Sequence, residues 1–274
     1  LGDVYKRQPY DGKERTVSCW GDSMMFGIGA GEAYVFGEDN VLDISDWTTP
    51  YTLEYLTGIK VYNLGVAGET SNEIALRQGG IKMYADNTFE VGYDDSVEIS
   101  IIDEYGNPVY MADFSAYGYV EPHESDVVYI NDDMFKITGT EETGLYICRY
   151  SEEEDVYDAF TTVYEGTQIV TKAAHERKND ILILEIGSNG GWDNYRQLIS
   201  QYDAMIQNAG CDYFIIVGDT DDPGTSIADT AQGFRNDDGT YVGVGDTAWE
   251  ATLREAYGAV SYTHLRAHET EADL

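Results

Sequence analysis

Basic residues are scarce in this 274-residue chain, and long apolar runs are missing. The 16 Lys and Arg residues stand against 51 Asp and Glu, which gives a formal net charge of −35. Such a field repels phosphate backbones, so the sequence disfavours a nucleic-acid partner. No apolar run reaches the ~18 residues of a membrane span, which predicts no transmembrane segment. The acidic balance favours a secreted or cell-surface bacterial protein.

Cysteine is also rare. Cys19, Cys148 and Cys211 are odd in number and widely spaced, so they form neither a disulfide framework nor a zinc-binding pattern. We therefore expect no metal. Hydrophobic residues nevertheless make up 42% of the chain and aromatic residues 13%, which excludes a disordered or low-complexity chain.

The two ends differ from the rest of the chain. Residues 1–8 and 261–274 resemble translated sequencing-adapter read-through at the ends of assembled metagenomic fragments. Such segments do not contribute to a native fold. We therefore expect the native sequence to span roughly 9–260 and the two ends to be non-native.

Strands alternate with helices in two separate parts of the sequence. The segments 14–20, 59–64, 181–186 and 213–217 are predicted strands, and 181–186 is nearly continuous in apolar residues, which is typical of a strand covered on both faces. Thr70 or Ser71 is the predicted cap of one helix between these strands. Asp193 or Asn194 is the predicted cap of another, which Gly210 ends. Alternation of this kind predicts the α/β class, with a three-layer α/β/α doubly wound parallel sheet of the flavodoxin-like kind. The predicted core is discontinuous and comprises residues 9–81 and 172–260.

Between these parts, residues 82–171 follow a different pattern. Hydrophobic residues alternate with a period of two, as in 97–101, and turn residues separate several short strands. This pattern predicts an inserted all-β domain over 82–171.

Polar and glycine-rich loops follow three of the predicted parallel strands. They are Gly21-Asp22-Ser23, Gly65-Val66-Ala67-Gly68 and Gly187-Ser188-Asn189. Ligands bind beyond the carboxyl ends of such strands, so we expect the three loops to form one site. Ser23 could present its hydroxyl there, the Gly68 N–H could approach a ligand closely, and the Asn189 amide could donate to an oxyanion.

The same three segments resemble a known family. "VSCWGDSMMFGIGAG" (17–31), "NLGVAGETSNEIALRQG" (63–79) and "ILILEIGSNGGW" (181–192) are similar to the first three sequence blocks of the SGNH hydrolases, the GDSL-type esterases and lipases. The resemblance implies that Ser23 is the nucleophile and that the oxyanion hole comprises Ser23, Gly68 and Asn189. Gly21, Asp22 and Gly187 would support these residues. The chain departs from the family at Gly190, where Asp is usual.

The fourth block of that family, Asp-x-x-His, is not found. None of His123, His175, His264 and His268 has Asp three residues before it. The resemblance therefore implies that this chain is truncated before the block and lacks the catalytic His and Asp. An alcohol needs a base to take its proton, so we expect Ser23 to be a weak nucleophile with low residual activity.

The expected function is that of a serine ester hydrolase, a carboxylic ester hydrolase that needs no cofactor. The expected substrate is a small acyl ester or an acylated glycan. O-acetylated glycans are suggested by analogy with proteins of the same predicted fold.

Two alternatives remain at the level of sequence. The run Gly27, Gly29 and Gly31 suggests a nucleotide site, but it lacks the Gly-x-Gly-x-x-Gly spacing, and Asn63 stands where a ribose-binding acid is expected. The second alternative is a non-catalytic glycan-binding or adhesion module on a vestigial hydrolase core. It is suggested by aromatic residues of the insert that could stack on sugars: Tyr110, Phe114, Tyr117, Tyr119 and Tyr129.

Overall fold

The fold is taken from a computed structural model, which describes residues 15–27, 34–36, 42–44, 48–92, 95–110, 127–150, 160–177, 181–211, 213–218 and 248–257. Its helices are α1 (Ser23–Phe26), α2 (Thr49–Thr57), α3 (Ser71–Gln78), α4 (Lys172–Glu176), α5 (Tyr195–Ala209) and α6 (Ala248–Tyr257). The strands outside the predicted insert are β1 (Val17–Gly21), β2 (Tyr34–Phe36), β3 (Leu42–Ile44), β4 (Val61–Gly65), β14 (Ile181–Glu185) and β15 (Phe214–Ile216). The strands within it are β5 (Met83–Ala85), β6 (Phe89–Val91), β7 (Val97–Ile99), β8 (Ile101–Asp103), β9 (Val127–Ile130), β10 (Asp133–Thr140), β11 (Gly144–Arg149), β12 (Thr161–Val163) and β13 (Gln168–Thr171).

A small parallel sheet has the strand order β15-β14-β1-β4. β1 lies between β14 and β4, with Val17 opposite both Ile181 and Val61. Every residue of β1 is buried, as predicted for this segment. The strand predictions for β1, β4, β14 and β15 are confirmed to within a few residues at their ends.

Local sequence signals determine where the helices of this region begin and end. The side chain of Thr70 accepts from the Glu73 N–H, and the Glu73 side chain accepts from the Thr70 N–H, so α3 begins with a capping box. The Asn194 side chain caps α5, and α5 ends at Gly210 in the left-handed conformation. Both helix starts were among the predicted positions and are confirmed.

The antiparallel strands form the larger part of the fold. A seven-stranded sheet has the order β7-β11-β10-β9-β13-β5-β8, and two-stranded sheets pair β12 with β6 and β2 with β3. All strands from β5 to β13 fall within residues 82–171. β13 pairs antiparallel with β5, with Ile169 opposite Met83, so the two ends of this segment lie side by side.

The predicted three-layer α/β/α doubly wound fold is wrong. The described structure is mostly β, because the seven-stranded antiparallel sheet is larger than the four-stranded parallel one. The apolar surface is distributed accordingly. On one face of the parallel sheet α2 buries only Pro50, and the apolar cluster there has five buried residues. On the other face, Trp20 and Ile74 belong to a cluster that continues to Met83 and Val128 of the antiparallel sheet. The parallel and antiparallel strands therefore share one core.

None of the helices in the described part of the chain is both long and apolar enough to cross a membrane.

Candidate active site

The carboxyl ends of three parallel strands meet at one edge of the small sheet. Gly21 at the end of β1 lies opposite Gly65 of β4 and Glu185 of β14. The Val66 N–H donates to the Gly21 carbonyl oxygen at 3.0 Å and continues the pairing beyond the strands. The loops that carry Ser23, Gly68 and Asn189 therefore all leave the sheet at the same edge.

Ser23 is the first residue of the short helix α1, and its side chain is half-buried. Asp22 caps this helix, because its Oδ1 accepts from the Met24 N–H at 2.9 Å. Asp22 is fully buried. Its position at the end of β1 turns the chain sharply and presents Ser23 at the sheet edge.

Burial raises the pKa of the Asp22 carboxyl above its ordinary value, although the hydrogen bond from the Met24 N–H and the nearby Ser188 side chain act in the opposite direction. Oδ2 of Asp22 is buried without a well-formed hydrogen bond to any described residue. Ser188 directly precedes Asn189, so this carboxyl connects the first loop to the third.

Gly68 and Asn189 lie on loops that contact each other. Asn189 Nδ2 donates to the Glu69 carbonyl oxygen at 3.0 Å, directly after Gly68 in the chain. Gly68 is exposed and has a φ of +86°, a conformation that favours glycine. An amide nitrogen carries two hydrogens, so this bond leaves the second N–H of Asn189 for another acceptor. The side chain and the backbone turn are thus held next to each other.

The first two loops pack backbone against backbone. A Cβ on Gly65 would lie 2.7 Å from Phe26 Cα, so only glycine allows α1 to approach β4 this closely. Asn63 reinforces the contact, because its Nδ2 donates to the Phe26 carbonyl oxygen and its Oδ1 accepts from the Gly65 N–H, both at 3.1 Å. Asn63, which the nucleotide hypothesis placed at a ribose site, therefore holds α1 against the sheet.

Aromatic side chains hold the third loop. Gly187 has a φ of +114°, and its carbonyl oxygen accepts from Trp192 Nε1 at 3.0 Å. The Tyr202 hydroxyl donates to the Ile186 carbonyl oxygen at 3.1 Å. The loop returns to α3, where the Ser71 N–H donates to the Gly190 carbonyl oxygen at 3.0 Å. Gly190, the departure from the family pattern, thus takes part in the packing through its backbone.

A buried ion pair lies directly behind Gly68. Arg77 on α3 donates through Nε to both carboxylate oxygens of Glu69, at 3.0 and 2.9 Å, and its Nη2 lies 2.7 Å from Oε2. The two side chains are 2% and 3% exposed. The Arg77 guanidinium also lies over the Trp20 ring, 5.0 Å from its centroid. Burial raises the pKa of Glu69, whereas the charge of Arg77 lowers it.

The described histidine does not lie with these groups. His175 is on α4, six residues before the start of β14, whereas Ser188 and Asn189 follow the end of that strand. Its ring packs on Tyr129 of β9, with the centroids 4.4 Å apart. Within the described ranges no hydrogen bond joins an imidazole to Ser23, and no three His, Cys, Asp or Glu side chains cluster as metal ligands would.

Several predicted features lie outside the described residues. They are the two ends at 1–8 and 261–274, His123, His264 and His268, the glycines Gly29 and Gly31, and the insert residues Phe114, Tyr117 and Tyr119.

Sequence reasoning did not select three of the residues around this edge. Glu69 follows the candidate Gly68, and Arg77 is a basic residue in the buried part of α3; a charge within an apolar helix segment was the available signal. Ser188 lies between two selected residues. Its approach to Asp22 is a tertiary contact that no spacing in the sequence indicates.

Comparisons of this chain with protein-family models, with curated proteins and with solved structures found no match.

Proposed function

We propose that this chain is a serine ester hydrolase of the SGNH type, in which Ser23 attacks the carbonyl carbon of an acyl ester. The observation that carries the proposal is the hydrogen bond from Asn189 Nδ2 to the Glu69 carbonyl oxygen. It holds a side-chain donor beside the exposed turn at Gly68, at the sheet edge where α1 also presents Ser23. The resemblance of the three sequence segments supports the same assignment.

In the proposed reaction the Ser23 hydroxyl loses its proton to a base as its oxygen bonds to the carbonyl carbon. The carbonyl oxygen becomes an oxyanion, which the N–H groups of Ser23 and Gly68 and the second Asn189 N–H stabilise. Collapse of this intermediate breaks the bond to the leaving alcohol, which takes up a proton. Water then attacks the acyl-enzyme and releases the carboxylic acid and free Ser23.

The position of Ser23 favours this chemistry electrostatically. The first residue of a helix lies where backbone N–H groups have no partner within the helix, and these groups attract developing negative charge. Because α1 has only four residues, this effect is small. Most of the stabilisation is therefore assigned to the positioned donors at Gly68 and Asn189. The base is the missing part of the machinery in the described residues.

The test supplies that base from solution. The full chain is incubated with a fluorophosphonate, with and without imidazole, and the modified residue is found by peptide mass spectrometry. We expect slow modification at Ser23 that imidazole accelerates, because an added base can take the hydroxyl proton. Hydrolysis of p-nitrophenyl acetate is followed in parallel.

Two variants control this experiment. Ser23→Ala gives the rate that imidazole produces by itself with the nitrophenyl ester, and this background is subtracted. Ser100→Ala, which removes an exposed serine of the insert, should react like the parent chain. Modification spread over several serines, or an ester hydrolysis rate equal to that of Ser23→Ala, would overturn the proposal.

A further inference from the structure

A cavity of 650 Å³ lies between the parallel-sheet region and the antiparallel strands. Thr70 and Leu76 line it from the α3 side, Gly191 and Gln201 from the third loop and α5, and Tyr105 from the turn that follows β8. Thr70 directly follows Glu69, and Gly191 is two residues beyond Asn189. The cavity therefore begins next to the candidate active site and extends towards the insert.

Gln201 is the most informative residue in this wall. It is 4% exposed, and its Nε2 donates to the Gly191 carbonyl oxygen at 2.9 Å. Its Oε1 is buried and has no hydrogen-bond partner among the described residues. An unsatisfied buried acceptor costs about 1–3 kcal/mol, so a donor that reaches Oε1 from the cavity would be stabilising.

Two of the three carboxylates in the described lining, Asp103 and Glu73, are already engaged, and the third is the exposed Glu141. Asp103 Oδ1 accepts from the Tyr105 and Asn107 N–H groups, both at 2.8 Å, and its Oδ2 accepts from Asn107 Nδ2 at 2.9 Å. Glu73 Oε2 accepts from the Thr70 N–H and hydroxyl, both at 2.8 Å. These carboxylates serve a turn and a helix cap, so they are poorly placed to act as the ligands of a cation.

The remaining polar groups of the cavity are mostly amides. Asn72, Asn107 and Gln197 line it together with Gln201, and none of the described lining residues is Lys, Arg or His. An amide both donates and accepts hydrogen bonds, as a hydroxyl group does. The lining therefore complements a neutral ligand with many hydroxyl groups and provides no positive charge for an anion.

Two tyrosines add flat apolar surface. Tyr105 is 73% exposed and Tyr110 is 39% exposed, and both line the cavity. An exposed aromatic ring gives a ligand a rigid contact surface, because ordering it costs little conformational entropy. Such surface beside amide groups suits a molecule whose rings have apolar faces and polar edges.

We propose that this cavity binds sugar rings of a neutral oligosaccharide, with Gln201 Oε1 accepting from a sugar hydroxyl and Tyr105 contacting a ring face. This sugar binding does not require the proposed esterase activity. Because the cavity begins at Thr70 and Gly191, beside the candidate active site, the bound sugar would be the alcohol part of the ester. This second statement rests on the proposed function.

The test measures binding to the full chain by ligand-observed NMR and calorimetry. The probes are neutral tetrasaccharides of glucose, xylose, mannose and N-acetylglucosamine, and we expect saturable binding of at least one. Tyr105→Ala should weaken it about fivefold, the equivalent of a lost aromatic contact. Gln201→Met, which keeps the volume and removes Oε1, should weaken it about tenfold.

Tyr164→Ala is the matched control, because Tyr164 is 67% exposed on the same insert and does not line the cavity. It should bind like the parent chain. Thermal melting shows whether Gln201→Met is still folded, and Tyr105→Ala tests the site even if it is not. Binding of none of the sugars, unchanged binding in both cavity variants, or displacement of the sugar by Ca²⁺ or spermidine would overturn the proposal.

Fluorophosphonate labelling separates this inference from the proposed function. Sugar binding without labelling of Ser23 would keep the site and favour the binding-module alternative. Labelling of Ser23 without sugar binding would keep the hydrolase and reject the cavity as a sugar site.

Discussion

Arg77 donates through Nε to both oxygens of the Glu69 carboxylate, and the pair is buried between α3 and the loop that carries Gly68. The Glu69 backbone accepts a hydrogen bond from Asn189, and its side chain accepts hydrogen bonds from Arg77. The loop at Gly68 is therefore held from two sides. This makes Arg77 a positioning residue for the proposed oxyanion hole, although it lies on a different element.

Replacing Arg77 with Met should destabilise the protein severely. The change leaves the Glu69 carboxyl buried without its partner, which typically costs about 3–5 kcal/mol. Arg77→Lys should recover only part of this, because an ammonium group cannot reproduce the fork of N–H donors. Urea unfolding measures both.

The exposed pair Lys60–Glu54, at 3.2 Å, provides the matched comparison. Lys60→Met should change stability little, because water screens this pair. Adding Glu69→Gln to Arg77→Met should restore stability, because it removes the stranded charge. Equal losses for Arg77→Met and Lys60→Met would contradict the assigned role.

Asp22→Asn should alter how stability depends on pH. Burial raises the folded pKa of Asp22 above its ordinary value of 3.8, so the folded protein keeps a proton that the unfolded chain has lost. Asp22 therefore contributes most to stability at low pH, and its contribution falls as the pH rises from about 3.8 towards the raised pKa of the folded protein. Asn keeps an acceptor for the helix cap without the charge. The variant should gain stability relative to the parent chain as pH rises above about 4.

Urea unfolding at several pH values checks this, with Glu54→Gln as a comparison of opposite sign. A hydrogen bond from the Val61 N–H and, to a smaller extent, one from Lys60 lower the pKa of Glu54. The contribution of Glu54 to stability is therefore present at neutral pH and lost as pH falls. Glu54→Gln should therefore lose stability relative to the parent chain as pH rises. A stability difference for Asp22→Asn that does not vary with pH would contradict the prediction.

Gly65→Ala should disturb the position of Ser23. The new methyl group would press against the Phe26 backbone, 2.7 Å from its Cα, and overpacking of this kind costs about 1–3 kcal/mol. Gly58→Ala has no atom within 4 Å and costs only the strain of its φ of +68°, about 1 kcal/mol. Imidazole-supported labelling of Ser23 should fall in Gly65→Ala and persist in Gly58→Ala. Unchanged labelling in Gly65→Ala would show that α1 tolerates displacement.

Asn189→Ala should lower the imidazole-supported ester hydrolysis by a factor of about 10²–10³, the usual effect of removing one oxyanion donor. The loss should appear in kcat more than in KM, because the donor acts on the developing oxyanion. Asn194→Ala, which removes the cap of α5, should lower stability with little effect on kcat. A small loss of kcat in Asn189→Ala would remove this residue from the proposed hole.

Local signals predicted individual elements well and the architecture poorly. Thr70 could be predicted as one of two possible helix starts, because a cap bonds to a residue only three positions later in the chain, here Glu73. Asn194 was one of two predicted caps of α5, and Gly210 was its predicted end, because a cap and a left-handed glycine are both local features. The three-layer arrangement could not be predicted in this way, because whether an apolar face is covered by helices or by strands depends on distant segments.

For the candidate site, the sequence predicted which residues take part but not which of them contact each other. Ser23, Gly68 and Asn189 could be selected because each follows a predicted parallel strand, and the carboxyl ends of such strands share one edge. The bond from Asn189 to Glu69 joins positions 120 residues apart, and Gln201 lies opposite a turn of the insert. Long-range packing decides such contacts, because chain folding brings together groups that no local spacing relates.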